Sequence, residues 1–333
     1  MSPLRRDGYG APVTLTAQAT RAPEPVRRRP WIVVAAASGA AALYGINGSV
    51  SKVVLNSGLP SPRLSELRAT GAMLCLLVIA SARTARAPRP TKRELPELVG
   101  YGVVGIALVQ ALYFVAIQRL HVGVALLFEF TAPVFIVLWT RFGRRRHVSG
   151  AAWLGLLLSL AGLALVAHPG TGAMLDATGV AAGLGASLGL AVYYVLGESL
   201  VVRRDVLSLT TWAFVAASGF WSVVQPWPSF PWHTLRRTVS LTGRLSDLHA
   251  PVAVLALGII LLGTVVPYLL VLSALKHLPA TRVGVLGMLE PVLATAAAWA
   301  WLQEGLTSIQ IIGGAVLLVG VSLVQFGRSG LSP

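Results

Sequence analysis

The sequence has few charged residues, few acidic residues in particular, and almost no cysteine. Charged residues occupy 12% of its 333 positions, whereas a soluble domain usually has about 25%. This shortage, with 55% hydrophobic residues, excludes a soluble globular protein. The single cysteine, Cys75, excludes an intrachain disulfide and a cysteine-based metal cluster. The histidines lack metal-ligand spacing, and neither a phosphate-binding loop nor a nucleophile motif is present. We therefore expect no metal, no other cofactor and no enzymatic activity.

Basic residues are the charged type that is present, with 27 lysines and arginines against 12 acidic residues. They form short clusters between apolar runs and no single basic face, so nucleic acid is not an expected partner. The runs are about 20 residues long, enough to cross the hydrocarbon core of a bilayer. The predicted fold class is an all-α polytopic membrane protein with ten transmembrane helices. The predicted spans are Trp31–Leu55, Leu64–Ala82, Leu98–Ile117, Val122–Thr140, Gly150–Ala167, Gly179–Val201, Thr210–Val224, Val252–Leu275, Ala280–Leu302 and Ile309–Phe326.

The distribution of arginine and lysine predicts the orientation. With the N-terminus inside, basic residues in the inner segments outnumber those in the outer loops by about four to one, as the positive-inside rule requires. Residues 1–30 hold six of the arginines with several prolines and little to bury, which predicts a disordered cytoplasmic tail. Both termini are expected in the cytoplasm, and the alanine- and arginine-rich composition favours the inner membrane of a bacterium.

Two apolar stretches, Val122–Thr140 and Ala280–Ala298, each contain a glutamate and a proline and read as copies of one another. When Pro133 is aligned with Pro291, the preceding helices also align. The chain is therefore interpreted as a tandem duplication of a five-span unit. Because five is odd, the second copy crosses the membrane upside down, which gives the inverted repeat found in many secondary transporters.

Several segments resemble the drug/metabolite transporter superfamily, and specifically the EamA-like permeases. The segment from Tyr44 to Asn47, followed by Lys52 and Arg68, is similar to that family's first two spans, with tyrosine in place of the usual tryptophan. Val283–Val321 is the most specific match, because it contains the glutamate-proline pair, the later Glu304 and a glycine-rich last span. One departure is the basic segment Arg141–Arg146, where many members have a leucine-glycine-glutamate turn.

This resemblance implies two five-helix repeats and the transport of small metabolites, often amino acids, driven by an ion gradient. The expected domains are one EamA-like repeat at residues 31–167 and a second at 178–326, followed by a cytoplasmic C-terminal tail at 327–333. A glutamate in the fourth span with glutamate-proline in the ninth looks most like the amino-acid exporters of the family. The expected partners are a small-molecule substrate, protons and the lipid bilayer, and the architecture is compatible with a homodimer.

Glu290 is the strongest candidate for substrate or proton binding, because an ionisable group at membrane depth is costly and is a functional-site hypothesis by default. Burial favours the neutral form of a carboxyl group, as proton uptake near neutral pH requires. Glu129 is the second candidate. When the prolines are aligned, it falls on Gly287 and not on Glu290, so the two carboxyl groups have room for separate roles. The alternative for both is a structural glutamate that bridges helices.

The remaining candidates fall into three groups, each with a simpler structural alternative. Polar residues inside spans are predicted to line a cavity, or else to form ordinary interhelical hydrogen bonds: Asn47, Ser49, Ser51, Gln110, Tyr113, Tyr193, Tyr194 and Tyr268. Prolines predict hinges or passive bends: Pro133, Pro267 and Pro291. Charged residues near the outer ends of the first two spans predict a gate, a site for a substrate carboxylate, or a local ion cluster: Lys52, Glu66 and Arg68.

The function predicted from the sequence is a secondary active transporter that exports amino acids or related metabolites by alternating access with proton coupling. Two other classes stay open. One is a sensor or assembly subunit that uses the same scaffold without transport. The other is an intramembrane lipid-modifying enzyme, although the acidic or histidine clusters that such enzymes show at a membrane face are missing here.

Overall fold

A computed structural model of the chain describes residues 30–82, 90–120, 122–167, 176–303 and 307–326. The predicted tails, 1–30 and 327–333, and Glu304 lie outside these residues, except for Pro30 at the start of the first helix. Nearly all of the described part is helical. Nine stretches are long and apolar enough to cross a membrane, and a shorter apolar helix, Gly150–Val166, lies at the predicted fifth span. The nine are Trp31–Asn56, Ser61–Ala82, Leu95–Ala116, Ala125–Gly143, Ala177–Arg203, Val206–Val224, Val252–Leu275, Ala280–Trp301 and Ser308–Gln325.

The first half of the chain contains two continuous helices followed by two interrupted ones. A π-helical segment, Val103–Leu108, joins two α-helices in the third span, and a two-residue turn divides the fourth. The helices are α1 (Pro30–Asn56), α2 (Ser61–Ala82), α3 (Leu95–Gly102), α4 (Val109–Arg119), α5 (Val122–Glu129), α6 (Ala132–Leu138) with the π-helical segment Trp139–Gly143, and α7 (Gly150–Ala167).

The second half repeats this order of continuous and interrupted helices. A π-helical segment, Leu261–Val265, interrupts the eighth span, and Met288 divides the ninth. The helices are α8 (Ala177–Arg203), α9 (Val206–Val224), the short α10 (Trp232–Leu235), α11 (Val252–Ile260), α12 (Val266–Leu275), α13 (Ala280–Gly287), α14 (Leu289–Ala297) with the π-helical segment Ala298–Leu302, and α15 (Ser308–Phe326). Between α10 and α11, strands β1 (Thr238–Ser240) and β2 (His249–Pro251) form an antiparallel hairpin.

Aspartate caps decide where two of the helices begin. The Asp205 side chain accepts a hydrogen bond from the Ser208 backbone N–H at 3.0 Å, and α9 starts at Val206. The sequence prediction placed the start of this span too late, at Thr210. A side-chain acceptor at the N-cap satisfies a backbone donor that the helix itself leaves unpaired, so the helix begins directly after Asp205. Asp176 caps α8 in the same way through Gly179 N–H at 2.8 Å.

The helices pack as a bundle around α1 and α8. α1 contacts α12 and α14, α8 contacts α4, α5 and α6, and α2 packs on α9. α7 and α15 form a very close pair that packs on α5, α13 and α14. A Cβ atom on Gly313 would lie only 2.8 Å from the carbonyl oxygen of Gly162, so the two backbones touch where side chains are absent.

Ion pairs join the start of α3 to the end of α8. The Arg204 guanidinium contacts the Glu94 carboxylate at 2.9 Å, and Arg203 pairs with Glu97. Hydrogen bonding from Arg204 and from Thr91 lowers the pKa of Glu94 to about 2. Because Glu94 precedes the apolar stretch that begins at Leu95, this network lies at the end of the bundle.

Candidate functional site

The fourth span is broken next to Glu129. Glu129 is the last residue of α5, and Phe130 and Thr131 form a turn before α6. Pro133 has no N–H to donate to the carbonyl four residues earlier, which is that of Glu129. The Thr131 hydroxyl turns back to the Phe128 carbonyl at 2.6 Å and also contacts the Ser187 hydroxyl at 2.9 Å. The break is therefore held by polar contacts both within the span and to α8.

The ninth span is broken next to Glu290. α13 ends at Gly287, and α14 begins at Leu289, so Glu290 lies in the first turn of the second half-helix. Pro291 removes the hydrogen bond that would otherwise reach the Gly287 carbonyl. Glu290 therefore lies at a helix N-terminus, where the backbone dipole favours negative charge, and Glu129 lies at a helix C-terminus, where it does not.

Tyr194 of α8 lies between the two broken spans. Its hydroxyl is 2.7 Å from the position that a Cβ atom of Gly287 would occupy, and its ring is 3.7 Å from the same position at Gly284. The Pro133 ring is 3.8 Å and the Ile136 side chain 2.9 Å from that same position at Gly284. The fourth and ninth spans thus contact each other beside Tyr194 of α8, although they are far apart in the sequence.

The two carboxyl groups share one region deep in the fold. Glu129 and Glu290 are close enough to repel each other when both are charged. The hydroxyl groups of Tyr113, Tyr194 and Tyr268 are near both of them. Both glutamates keep part of their surface accessible although protein surrounds them. We infer from this partial exposure that they face an internal cavity and not a closed core.

Arg68 brings a positive charge to this cavity from α2. Its Nη2 donates to the Gly263 carbonyl at 3.3 Å, and its Nε donates to the Thr264 hydroxyl at 3.2 Å. Gly263 lies four residues before Pro267, which has no N–H to offer that carbonyl. The guanidinium acts electrostatically on Glu290 and on Tyr268. Among the described residues, its Nη1 has no hydrogen-bond partner and is available to a ligand.

Asn47 and Gln110 place unpaired amide oxygens in the same region. The Asn47 side chain packs directly on Gly263, and its Oδ1 is buried without a hydrogen-bond partner among the described residues. Gln110 contacts the Tyr268 hydroxyl, and its Oε1 also lacks a partner in the described part of the chain. Buried polar atoms are normally hydrogen-bonded, so these oxygens are free to accept from a ligand or water.

The sequence reasoning missed two fully buried aromatic residues, Tyr101 and Phe214, that pack against Tyr193 and Tyr268. The Tyr268 ring contacts Phe214 at 4.9 Å, Tyr193 at 5.6 Å and Tyr44 at 5.9 Å between ring centroids. Tyr193 in turn stacks on Tyr101 at 5.4 Å. Tyr101 and Phe214 lie in apolar runs like any other buried aromatic residue, so no local signal distinguishes them. Tyr44 was noticed only as part of a family motif.

The charged residues predicted as one group at the outer ends of the first two spans have different partners. Glu66 is fully buried and pairs with Arg63 at 2.7 Å, and Arg63 also reaches the Pro226 carbonyl at 3.3 Å. Arg68 points to the eighth span instead, and Lys52 lies on an exposed position of α1. Sequence proximity suggested a single cluster, but residues two positions apart on a helix do not face each other.

The cavity thus combines one cation, two carboxyl groups, amide oxygens and tyrosine hydroxyls. Such a set suits a small ligand that carries both an anionic and a cationic group. No cluster of three or more metal-ligating side chains occurs in the described ranges.

Comparison with known proteins agrees with a membrane transporter. The sequence profile of the EamA-like transporter family matches residues 31–167 and 177–326. A threonine/homoserine exporter, RhtA, of Escherichia coli strain K12 is 29% identical over 77% of this chain and 79% of its own length. An uncharacterized transporter, YdfC, of Bacillus subtilis strain 168 is 24% identical over 70% of this chain and 72% of its own. One chain of a solved crystal structure superposes with a TM-score of 0.70 over 88% of this chain and 96% of its own, at 17% identity, which shows a shared fold alone.

Proposed function

The chain belongs to the EamA-like transporter family, and from this we propose that it is a secondary active transporter that exports amino acids or related small polar metabolites. The relative RhtA is a bacterial exporter of threonine and homoserine, which supports both the proposed substrate class and a location in a bacterial inner membrane. The observation that carries the proposal is the meeting of two broken spans around Tyr194, with Glu129 and Glu290 at the breaks. Broken helices at the middle of a membrane are typical of transport sites.

We further propose ten spans arranged as two inverted repeats, residues 31–167 and 178–326, with both termini in the cytoplasm. The alignment that pairs Pro133 with Pro291 also places the first π-helical segment, Val103–Leu108, on the second, which begins at Leu261. The contacts between helices are also equivalent in the two halves. α1 packs on the eighth and ninth spans, as α8 packs on the third and fourth.

The cavity supports a zwitterionic ligand, bound by its two ends. The free Nη1 of Arg68 is suited to a substrate carboxylate, because a guanidinium makes charge-assisted hydrogen bonds to carboxylates. Glu290 lies at a helix N-terminus and near Arg68, two features that favour a negative charge, and is suited to bind an ammonium group. The side-chain oxygens of Asn47 and Gln110 are further acceptors for it.

Glu129 is suited to carry the proton. It lies at the C-terminal end of α5, where the helix dipole disfavours a negative charge, and it makes no ion pair among the described residues. Alternating access would then follow from rearrangement at the paired breaks, with Pro133 and Pro291 as hinges. Pro267 has a different role. Because it has no backbone N–H, the Gly263 carbonyl stays available to accept the hydrogen bond from Arg68.

The test is transport by the purified protein in liposomes under an imposed pH gradient, with a panel of labelled amino acids, sugars and nucleosides. The variants are Glu290→Gln and Glu129→Gln, with Glu97→Gln as a control that removes a glutamate outside the cavity. We expect gradient-driven accumulation of an amino acid by the wild type and by the control. Glu290→Gln should abolish transport while the protein stays folded, and Glu129→Gln should allow exchange that no longer responds to the gradient.

Three outcomes would contradict this proposal. Normal, pH-responsive transport by both variants would leave the two glutamates as structural groups. Binding of substrate without translocation would favour a sensor or assembly subunit. Turnover of a lipid substrate would favour an enzyme.

A further inference from the structure

A second cleft lies at the inner end of the bundle, outside the cavity with the two glutamates. It is formed where the ends of the fourth, sixth and tenth spans meet the starts of the fifth and ninth. Its walls include three arginines, namely Arg144 after the fourth span, Arg146 before the fifth, and Arg282 in the first turn of α13. Glu198 of α8 is the one carboxylate among the described residues that line it.

The cleft already holds one carboxylate of the protein itself. Glu198 pairs with Arg144, and its other oxygen accepts a hydrogen bond from the Ala280 backbone N–H, the first residue of α13, at 3.4 Å. Arg144 and the start of α13 therefore neutralise Glu198. Arg146 and Arg282 form no ion pair within the described residues, so the cleft keeps two uncompensated positive charges. Thr140, Ser149 and Thr281 add hydroxyl groups to its lining.

The local backbone explains why alternate arginines enter the cleft. The π-helical segment after α6 lets Arg144 N–H reach the Trp139 carbonyl at 2.8 Å, and Arg146 N–H reaches the Thr140 carbonyl at 3.0 Å. Arg145 between them has a φ of 52°, the left-handed conformation that reverses the chain. Arg144 and Arg146 therefore line the cleft, and Arg145 does not.

Exposed aromatic residues in the chain segment that supplies Arg144 and Arg146 indicate that the cleft opens near the lipid surface. Trp139 is 52% exposed and Phe142 is 70% exposed, and the Arg141 guanidinium lies 6.0 Å from the centre of the Phe142 ring. Exposed aromatic residues that flank a span, with arginines beside them, are typical of the membrane interface. Basic pockets between spans on the cytoplasmic side are suited to the headgroups of anionic lipids.

We propose that this cleft binds the phosphate of an anionic phospholipid through Arg146 and Arg282, with the acyl chains lying beside Trp139 and Phe142. The proposal rests on the orientation inferred above, with this end of the bundle at the cytoplasmic leaflet, and it does not depend on the transported substrate. It assigns a role to the basic segment Arg141–Arg146, where the sequence departs from the pattern of its family.

The experiment measures binding of short-chain phosphatidylglycerol to the full-length protein in a neutral detergent, with phosphatidylcholine of equal chain length for comparison. The test variant is Arg146→Gln with Arg282→Gln. Arg145→Gln is the matched control, because it removes an equivalent charge from the same segment but outside the cleft. We expect the double variant to bind phosphatidylglycerol roughly 30-fold more weakly and Arg145→Gln to bind within about twofold of wild type.

A second double variant, Arg146→Lys with Arg282→Lys, keeps both charges and should retain most of the affinity, which separates loss of charge from loss of folding. Equal weakening by Arg145→Gln would mean unspecific attraction to a basic segment and would overturn the proposal. Undiminished binding by the Gln double variant would do the same. If free glycerol phosphate binds as tightly as the lipid, the cleft is a site for a soluble anion, and the assignment to a lipid is wrong. Because binding is measured without a gradient, failure here is distinct from failure of the transport proposal.

Discussion

Replacement of Gly45 by alanine tests whether α1 touches the backbone of the ninth span at Glu290. A Cβ atom at Gly45 would lie 2.8 Å from the Ala294 nitrogen, 3.0 Å from the Leu293 carbonyl carbon and 3.2 Å from the Glu290 carbonyl oxygen. All three are backbone atoms, which cannot rotate away as the end of a side chain can. Gly48, less than one turn further along α1, has no atom within 4 Å of the same position. The two glycines are therefore a matched pair in one helix.

The two substitutions are expected to change the folding free energy in opposite directions. Ordinary contact of a Cβ atom begins at 3.4 Å, so Gly45→Ala must push α1 away from α14 by about 0.6 Å or strain both backbones. Overpacking of this kind costs about 1–3 kcal/mol of folding free energy. Gly48→Ala meets no atom, and alanine in a helix is favoured over glycine by about 0.5–1 kcal/mol. Displacement of the turn that holds Glu290 should also slow transport, because small misplacements at a site have large kinetic effects.

The assay is thermal unfolding of both variants in the same detergent, followed by transport in liposomes. We expect Gly45→Ala to melt below wild type and to transport poorly, and Gly48→Ala to melt at or above wild type with normal transport. If both variants are equally stable and active, α1 and α14 do not make the close contact described, and the placement of Glu290 beside α1 is wrong.

Two further predictions concern individual hydrogen bonds. Pro267→Ala restores a backbone N–H that can donate to the Gly263 carbonyl within the helix, so this carbonyl should no longer hold Arg68 in place. We expect a lower substrate affinity in a binding measurement. Unchanged affinity would contradict the proposed role of the Gly263 carbonyl. Hydrogen bonds from Arg204 and Thr91 hold the pKa of Glu94 at about 2, below its ordinary value of 4.5. The stability that these bonds give to the folded protein should therefore be complete above about pH 4.5 and lost as the pH falls towards 2. Melting temperatures measured across this window should therefore fall less in Glu94→Gln than in wild type; parallel curves would show that the pair does not stabilise the fold.

Much of the fold could be predicted, because apolar length and charge distribution are local properties of the sequence. Nine of the ten predicted spans coincide with stretches long enough to cross a membrane, and the remaining one is a shorter apolar helix. The start of α9 was placed too late, because the side-chain cap of Asp205, after which the helix begins, was not recognised in the sequence. The glutamate-proline stretches could be recognised as related from the sequence, whereas their contact with each other beside Tyr194 could not.

The partners of the polar residues were the least predictable feature of the candidate site. Glu66 was grouped with Arg68, but it pairs with Arg63 one turn away. Arg68 donates a hydrogen bond to the Gly263 carbonyl of the eighth span, 195 positions further along the chain. Such contacts depend on how each helix is rotated about its axis, and the helices here are apolar on nearly every face, so the sequence carries little periodicity from which that rotation could be read.

The sequence by itself determined that the chain is a membrane protein and that it contains two related halves. It also showed that a glutamate and a proline recur inside corresponding spans of the two halves. These follow from the cost of charge in hydrocarbon and from the internal resemblance of the halves. Only the tertiary structure decided which polar groups share a cavity, that the Gly263 carbonyl receives Arg68, and that alternate arginines of one basic segment line a cleft. These depend on contacts between distant segments and on local backbone reversals, neither of which residue type alone specifies.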